Sequence, residues 1–269
     1  MKKLSNIKPK KSLGQNFLIN QGILDKIIGT AEVGPEDTVV EIGPGTGNLT
    51  RKLSEKAKRI IAVEKDRRLI EELKDKFHNS NVKIVEGDIL KLDIKKLFEN
   101  CKLKIENCDY KVIGNIPYYI TSNFLRTVFE KWPKPKLIVL TVQKEVAQRI
   151  VAKPPHMNLL ALSVQFYSSP TIIGYVSKGS FRPIPKVDSA IIRIVPKKDM
   201  PTDKDLFFKI IKAGFSGKRK QLKNTLVRIF ASKEKTVEIL NELRVNPDSR
   251  PEELSVESWL KLTTLISTS

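Results

Sequence analysis

The feature that most constrains this fold is a regular alternation between short apolar runs and helical patterns in the first half of the chain. Apolar runs bounded by turn-forming residues predict five buried strands, at residues 38–42, 59–64, 82–86, 110–114 and 137–142. Apolar residues at helical spacing follow several of these runs, as Leu69 and Leu73 do. Strands that alternate with helices predict a mostly parallel sheet covered by helices on both faces.

After about residue 155 this pattern changes. Two further strands, at 171–176 and 190–195, are predicted to form a hairpin that adds an antiparallel edge strand to the sheet, a common arrangement. Residues 196–201 have the composition of a linker, and residues 202–269 show only helical patterns. We therefore predict an α/β domain at residues 1–200 and a small all-helical domain at 201–269.

The predicted strands end in residues suited to binding a ligand. A turn with Gly43, Gly45 and Gly47 follows the first strand and opens a helix, so the backbone can approach a ligand closely. Glu64 ends the second strand, where a carboxylate can accept hydrogen bonds from both hydroxyls of a ribose. Asp88 follows the third strand, placed to accept from an adenine amino group. Each carboxylate alone is better explained as a solvated strand end. Together, the glycine turn, Glu64 and Asp88 indicate a ligand with ribose and adenine.

The glycine spacing differs from the dinucleotide pattern Gly-x-Gly-x-x-Gly, and the turn lacks a lysine that would cradle phosphates. The glycine spacing disfavours a nicotinamide dehydrogenase. S-adenosylmethionine is the adenosine-containing ligand that fits best.

The fourth predicted strand delivers Asn115, which Ile116, Pro117 and Tyr118 follow. The side-chain carbonyl of Asn115 and the backbone carbonyl of Ile116 can accept hydrogen bonds from an amino group. Pro117 fixes the turn, and Tyr118 offers a ring face for stacking. The stretch suits a flat base with an exocyclic amine, and the alternative is a plain strand-to-helix turn with a buried tyrosine.

The charge of the chain indicates a polyanionic partner. Lys and Arg total 49 against 30 Asp and Glu, a formal net charge of +19, and nucleic acid is the first candidate. The alternative is a lysine-rich proteome, which explains many lysines but not their excess over acids. The two cysteines and two distant histidines offer neither a disulfide framework nor a metal site, so we expect no metal. No apolar run reaches membrane-spanning length, so we expect a cytoplasmic protein without a membrane partner.

Taken together, the motifs resemble those of the ribosomal RNA adenine dimethyltransferases. In chain order they are Gly14-Gln15-Asn16-Phe17-Leu18, Glu41-Ile42-Gly43-Pro44-Gly45-Thr46-Gly47, Glu64, Gly87-Asp88, Asn115-Ile116-Pro117-Tyr118 and Phe181-x-Pro183-x-Pro185-x-Val187-Asp188-Ser189. They span nearly the whole chain, and as a set they are highly specific. The segment 215–224 resembles the small-subunit (KsgA-type) branch more than the branch that methylates large-subunit RNA. One departure is Ile116, where the family often has Leu, at a position that contributes backbone.

The resemblance implies a Rossmann-like S-adenosylmethionine-dependent methyltransferase fold with a helical C-terminal domain. It implies dimethylation of two adjacent adenosines in a hairpin near the 3′ end of 16S ribosomal RNA, with the small ribosomal subunit or its precursor as partner and a monomeric enzyme. Cofactor contacts are implied at Asn16, Leu18, Gly43, Gly45, Glu64, Lys65, Asp88, Ile89 and Asn115. Catalysis is implied at Asn115, Ile116, Pro117 and Tyr118, with Phe181 as a second aromatic near the target base. The alternative for Phe181 is a core residue that anchors the Pro-rich loop.

A basic segment in the C-terminal domain is the predicted RNA contact. Its residues are Lys218, Arg219, Lys220, Lys223 and Arg228. They surround a predicted helix whose apolar side is Leu222 and Leu226, and Lys220, Asn224 and Arg228 recur at every fourth residue. The stripe suits contact with an RNA backbone, and the alternative is a solvated helix face.

Two other functions stay open from the residues alone. One is a large-subunit adenine methyltransferase, and the other is a non-catalytic ribosome-assembly or RNA-binding factor that reuses this fold. An intact Asn115 and Tyr118 disfavour the second. A further role in small-subunit biogenesis is compatible with a catalytic protein as well as with a non-catalytic one.

Overall fold

The fold is given by a computed structural model that describes residues 8–10, 13–101, 103, 110–199, 203–217 and 219–268. Within these ranges the chain forms nine strands and twelve α-helices. The strands are β1 (Phe17–Leu18), β2 (Thr38–Ile42), β3 (Arg59–Glu64), β4 (Val82–Glu86), β5 (Tyr110–Asn115), β6 (Leu137–Gln143), β7 (Ser168–Val176), β8 (Phe181–Arg182) and β9 (Ser189–Pro196). The helices are α1 (Gln21–Ala31), α2 (Asn48–Ser54), α3 (Arg67–Lys76), α4 (Ile94–Asn100), α5 (Thr121–Lys131), α6 (Lys144–Ile150), α7 (Leu159–Tyr167), α8 (Lys204–Gly214), α9 (Leu222–Thr225), α10 (Val227–Phe230), α11 (Lys233–Glu242) and α12 (Val256–Thr268).

Seven strands form one sheet in the order β4-β3-β2-β5-β6-β9-β7. The pairs from β4 through β6 are parallel, and β9 runs antiparallel to β6. This confirms the predicted α/β fold with its mostly parallel sheet. One detail of the prediction was wrong, because the antiparallel strand β9 lies inside the sheet and β7 forms the edge. The side chains of Ala190, Ile191, Ile192 and Ile194 are fully buried, and this continuous apolar run is typical of a strand covered on both faces inside a sheet.

The sequence predicted the bounds of β2, β3 and β4 to the residue. It did not predict helix α4 or a second, two-stranded sheet in which β1 pairs antiparallel with β8. In that sheet Phe17 lies opposite Arg182, and Leu18 lies opposite Phe181. The small sheet therefore joins the N-terminal arm to the loop that precedes β9.

Helix α1 shows how the arm leads into the core. Asn20 caps the helix, because its side-chain oxygen accepts a hydrogen bond from the amide of Ile23 at 3.1 Å. Leu24, Ile27 and Ile28 recur on one face and are buried in the main core cluster. Each such side chain contributes about 1.5–3 kcal/mol on burial.

The chain divides into two compact units, Met1–Ala147 with Pro170–Pro196, and Gln148–Ser169 with Lys197–Ser269. This division differs from the predicted boundary at residue 200, because the segment with α7 groups with the C-terminal helices. Within the second unit the ring of Phe166 stacks on Phe207 with centroids 4.4 Å apart. Phe207, Ile210 and Ile211 of α8 are buried there, on the one helix face that the sequence predicted.

Candidate active site

The candidate site lies at the carboxyl edge of the sheet, in the first unit. Strands β2 and β5 are neighbours there, while the chain runs from β2 outward to β3 and β4 before it returns to β5. Such a reversal of strand order opens a crevice at the carboxyl ends. The crevice has a volume of about 960 Å³, its open mouth included, which suits a nucleoside-sized ligand. Its walls include residues 13–17 of the N-terminal arm and residues 115–120 after β5.

Most of the predicted site residues line this crevice. They are Asn16, Gly43, Gly45, Glu64, Lys65, Asp88, Ile89, Asn115, Ile116, Pro117 and Tyr118. Neighbouring parallel strands place their carboxyl ends at one edge, so Gly43, Glu64, Asp88 and Asn115 meet here although they end or follow four different strands. The structure thus brings together the three strand ends and the Asn115 stretch that the sequence indicated.

Glu64 ties the glycine turn to the end of β3. One of its carboxylate oxygens accepts hydrogen bonds from the amides of Lys65 at 2.8 Å and Asp66 at 2.9 Å. The other accepts from the amide of Gly45 at 3.2 Å. Burial raises the pKa of Glu64, and these three amide donors work against that rise. The carboxylate is therefore held in a fixed position on the wall of the crevice.

Gly45 has no room for a side chain. Its φ is +57°, and an added Cβ would lie 2.8 Å from Cδ1 of Phe17. The glycine therefore lets the aromatic ring of the N-terminal arm pack directly on the turn. In this conformation the backbone amide of Gly45 donates its hydrogen bond to Glu64.

Asp88 is paired with Lys65 across the crevice. The Nζ atom of Lys65 lies 2.9 Å from a carboxylate oxygen of Asp88, and the amide of Leu90 donates to the other oxygen at 3.1 Å. Burial alone would raise the pKa of Asp88, but the hydrogen bonds from Lys65 and Leu90 hold it below its usual value. Asp88 is therefore ionised at neutral pH and accepts hydrogen bonds only.

The orientation of the Asn115 side chain is set by a residue 99 positions earlier. Its Nδ2 donates a hydrogen bond to the backbone carbonyl of Asn16 at 2.8 Å. A carbonyl can only accept, so the amide must present its NH₂ group to Asn16. This leaves Oδ1 of Asn115 as the acceptor that remains for a ligand. The N-terminal arm thus orients the side chain at the end of β5.

Two tyrosines follow Asn115 in different environments. Tyr118 is half-buried, and its hydroxyl lies 2.7 Å from Oγ of the buried Ser189 on β9. Burial raises the pKa of Tyr118. Tyr119 is 65% exposed beside the crevice, and its ring contacts the Gly14 region of the arm. The sequence singled out Tyr118, whereas the role of Tyr119 in lining the mouth emerged only from the structure.

The arm itself is fixed by Asp66, which the sequence did not indicate. The side chain of Asp66 accepts hydrogen bonds from Gln15 at 2.9 Å and from Nε of Arg68 at 3.0 Å. The Arg68 guanidinium and the Gln15 amide hold the pKa of Asp66 well below its usual range. Gln15 belongs to a motif that stands out in the sequence. Its hydrogen-bond partner Asp66 is 51 residues away, and no sequence spacing relates the two residues.

Glu41 is a second residue whose role emerged only from the structure, although the sequence placed it in the motif with the glycine turn. It lies on β2 below the glycine turn, is only 1% exposed, and lines a small cavity that shares Gly43, Gly45 and Asn115 with the crevice. Within the described residues neither carboxyl oxygen has a partner with full hydrogen-bond geometry, although the Thr50 hydroxyl lies close enough to lower the pKa of this group. Burial raises the pKa of Glu41 to about 8, with Thr50 and Lys76 acting against the rise. A carboxyl group without partners in a cavity is suited to a cationic or hydroxylic ligand.

Two predicted site residues do not line the crevice, although Leu18 lines the small cavity beside Glu41. Phe181 is fully buried in the main core cluster and does not line the crevice, because β8 pairs with β1 and directs the ring inward. The structure therefore supports the alternative interpretation of Phe181 as a core anchor for the Pro-rich loop. Leu18 is buried in the same cluster, and its carbonyl accepts a hydrogen bond from Nδ2 of Asn48 at 3.0 Å.

The basic segment of the second unit differs from the predicted helix stripe. Lys220 precedes α9, and the helical path is interrupted at Leu226, where Ile229 bonds back three residues instead of four. The prediction of a single helix with one basic face was therefore wrong. Arg219, Lys220 and Arg228 are exposed, Lys223 forms an ion pair with Asp248, and Lys218 lies outside the described residues. Leu222 and Leu226 are buried as predicted.

Neither metal ligands nor membrane spans emerge from the part of the chain that is described. There, no group of three or more His, Cys, Asp or Glu side chains is placed to hold a metal ion, and Cys108 is outside that part. No helix in the same ranges has the length and apolar composition needed to cross a membrane.

Known proteins resemble this chain over nearly its whole length. The family model for ribosomal RNA adenine dimethylase matches residues 6–268. A protein from Dehalococcoides mccartyi named ribosomal RNA small subunit methyltransferase A is 44% identical over 95% of this chain and 88% of its own length. A crystal structure of a dimethyladenosine transferase from Plasmodium falciparum is 30% identical, covers 94% of this chain and 98% of that one, and superposes with a TM-score of 0.79. The 23S rRNA methyltransferase ErmE is 25% identical, covers 94% of this chain and 100% of its own, and gives 0.76.

Proposed function

The chain belongs to the ribosomal RNA adenine dimethylase family, and from that premise we propose that it is a small-subunit (16S) rRNA adenine N6,N6-dimethyltransferase that uses S-adenosylmethionine. The observation that carries the proposal is the Asn115 amide, whose NH₂ group is engaged by Asn16 so that Oδ1 is left to accept from an amine. The similarity to small-subunit methyltransferases favours the small-subunit RNA as substrate. The similarity to ErmE keeps large-subunit RNA as the second candidate.

The residues that would hold the cofactor are those of the crevice wall. Glu64 would accept hydrogen bonds from ribose hydroxyls, and Asp88 would accept from the adenine amino group beside the apolar Ile89. The glycine turn would contribute backbone at Gly43 and Gly45. The unpartnered carboxyl of Glu41 supports the fit, because the cofactor carries an ammonium group and the cavity of Glu41 adjoins the crevice. S-adenosylmethionine, when bound, supplies a methyl group activated on a sulfonium.

The protein's contribution to the reaction is to orient the target amine. The lone pair of an adenine amine is delocalised into its ring, which makes the amine a poor nucleophile. Oδ1 of Asn115 and the carbonyl of Ile116 would hold its two N–H groups and so favour a pyramidal nitrogen with its lone pair directed into the crevice. Positioning of this kind supplies most of the rate gain in such a displacement. After methyl transfer the cationic nitrogen loses one proton to solvent. The monomethylated amine keeps one N–H group, which one of the two acceptors would hold for a second transfer.

Tyr118 would replace the stacking that the target base loses when it leaves its RNA helix. Pro117 fixes the turn between the acceptors and this ring. Exposed Arg219, Lys220 and Arg228 support the RNA contact proposed for the helical unit, together with the net charge of +19. We propose that the protein acts as a monomer in the cytoplasm, where ribosomal particles are assembled.

The test is incubation of the purified protein with S-adenosylmethionine and with separated small and large ribosomal subunits from cells that lack adenine dimethylation. Nuclease digestion and mass spectrometry then identify the methylated nucleosides. Dimethyladenosine in small-subunit RNA alone is the expected result. Methylated adenosine confined to large-subunit RNA would support the second candidate. Cofactor binding without methylation of either particle would indicate a non-catalytic assembly factor and overturn the proposal.

A further inference from the structure

A large aromatic side chain is exposed near the carboxyl end of the edge strand. Tyr175 is the penultimate residue of β7, and its side chain is 54% exposed. The Nζ atom of Lys144, at the start of α6, lies 5.0 Å from the centroid of its ring. A cation over an aromatic face is attracted to the ring and helps to hold it in place. The pair presents a fixed aromatic surface next to a positive charge.

This pair is connected to the candidate active site by a short series of hydrogen bonds. The amide of Lys144 donates to the backbone carbonyl of Asp188 at 3.0 Å. The next residue, Ser189, is bonded to the hydroxyl of Tyr118 at 2.7 Å. The carboxylate of Asp188 accepts from the amide of Lys178 at 3.0 Å, which fixes the chain after β7 as well. Tyr175 and Lys144 are therefore on the same edge of the sheet as the proposed base-binding ring.

The Pro-rich loop adds apolar side chains to this surface. Ile184 is 57% exposed and Val187 is 43% exposed, although Phe181 and Pro185 in the same loop are buried. The exposed charged groups of the surface are the cations Lys144, Lys178, Arg182 and Lys186 and the acids Glu145 and Asp188. Cations in excess beside aromatic and apolar groups match a partner that carries both phosphates and flat bases.

We propose that the surface formed by Tyr175, Lys144 and the exposed residues of the loop at 182–187 binds unpaired nucleotides next to the target adenine, with a base stacked on Tyr175. The inference rests on the proposed function. A target base that leaves its helix disrupts the stacking of its neighbours, and an exposed ring at the edge of the site restores part of it. The cations contact the phosphates that link those nucleotides. This surface is separate in sequence from the basic segment at 219–228, so the RNA has a second contact close to the chemistry.

The test compares Tyr175→Ala, Tyr175→Phe and Lys144→Ala with the parent protein. The control is Lys58→Ala, which removes an exposed lysine paired with Glu36. Lys58 directly precedes β3 and so lies at the amino ends of the parallel strands, away from the carboxyl edge. Fluorescence anisotropy with a short labelled oligoadenylate measures RNA binding, calorimetry measures S-adenosylmethionine binding, and dimethyladenosine formation on small subunits gives kcat and KM.

We expect Tyr175→Ala to raise the RNA Kd and the KM for the particle about 5- to 150-fold, with cofactor affinity unchanged, because one base–aromatic stack is lost. Tyr175→Phe keeps the ring and retains binding. Lys144→Ala lowers the slope of log Kd against log salt by about 0.7, as expected for one phosphate contact on a single strand. Lys58→Ala has no such effect.

Two results would overturn the inference. In the first, Tyr175→Ala binds the oligonucleotide and the particle within twofold of the parent while the parent still dimethylates the RNA. In the second, the variant loses affinity for the intact particle but not for protein-free RNA, which would assign the surface to a ribosomal protein. Failure of the proposed function would differ from both, because the parent itself would then form no dimethyladenosine.

Discussion

The hydroxyl of Tyr118 and Oγ of Ser189 lie 2.7 Å apart and join the turn after β5 to the start of β9. Ser189 is fully buried, whereas Tyr118 faces the crevice. The hydrogen bond fixes the position of the hydroxyl end of the Tyr118 ring without occupying its faces. It therefore links a residue of the proposed base-binding site to a buried residue that does not line the crevice.

Ser189→Ala should lower kcat for dimethylation about 2- to 13-fold, because a net hydrogen bond of about 0.5–1.5 kcal/mol no longer orients the ring. Tyr118→Phe should cost about the same, since it removes the other partner of the same bond. Adding Ser189→Ala to Tyr118→Phe should then change kcat little further. A double variant whose loss equals the product of the two single losses would show that Ser189 does not act through Tyr118.

Tyr118→Ala should lower the rate roughly 5- to 150-fold while cofactor affinity is retained, because base–aromatic stacking is worth about 1–3 kcal/mol. Tyr118→Phe keeps the ring and serves as the matched control. Single-turnover kinetics and calorimetry on the same preparations separate the two effects. A Phe variant as slow as the Ala variant would assign the function to the hydroxyl instead of the ring face.

Glu64→Ala should weaken S-adenosylmethionine binding at least tenfold, because charge-assisted hydrogen bonds contribute about 1.5–3 kcal/mol each. It should also lower Tm, since the amides of Gly45, Lys65 and Asp66 lose their acceptor. Asp25→Ala, which removes an exposed carboxylate on α1, is the control. Unchanged affinity in Glu64→Ala, or a parent that prefers NAD in calorimetry, would contradict the proposed cofactor site.

Glu41 should make stability fall as pH rises. Its pKa is about 8 in the folded chain against 4.5 for an ordinary glutamate, so between these values the folded state holds a proton that the unfolded state has released. The free energy of unfolding should therefore decrease by up to about 1.4 kcal/mol per pH unit across this window. Glu41→Gln, neutral at every pH, should lack that slope when urea unfolding is compared at several pH values. The same slope in both proteins would show that Glu41 is ionised in the folded chain.

The sequence predicted those parts of the fold that depend on local pattern. β2 and β3 are apolar on both faces and end at a glycine turn or a charged residue, so their bounds were readable. The pairing of β1 with β8 could not be predicted, because two-residue strands show no periodicity and the paired residues are more than 160 positions apart. The break at Leu226 was also hidden, since Leu222, Leu226 and Phe230 keep helical spacing through it.

The candidate site was predictable as a set of strand ends but not as a set of contacts. Asn115, Glu64 and Asp88 follow from the position of each residue at the end of an apolar run. The bond between Asn115 and Asn16 depends on how the arm crosses the sheet edge, and no spacing encodes it. Burial of Glu41 and Phe181 likewise depends on which face of a strand meets the core, which is a property of the assembled sheet.

The most direct test of the account is dimethyladenosine formation in small-subunit particles by Asn115→Ala, read by mass spectrometry. Asn123→Ala, an exposed asparagine on α5, is the matched control. The account predicts that Asn115→Ala forms no dimethyladenosine while its Tm and fold stay close to the parent's and cofactor affinity falls only modestly. Near-parental dimethylation by Asn115→Ala would mean that this stretch is only a turn, and would contradict the proposed mechanism.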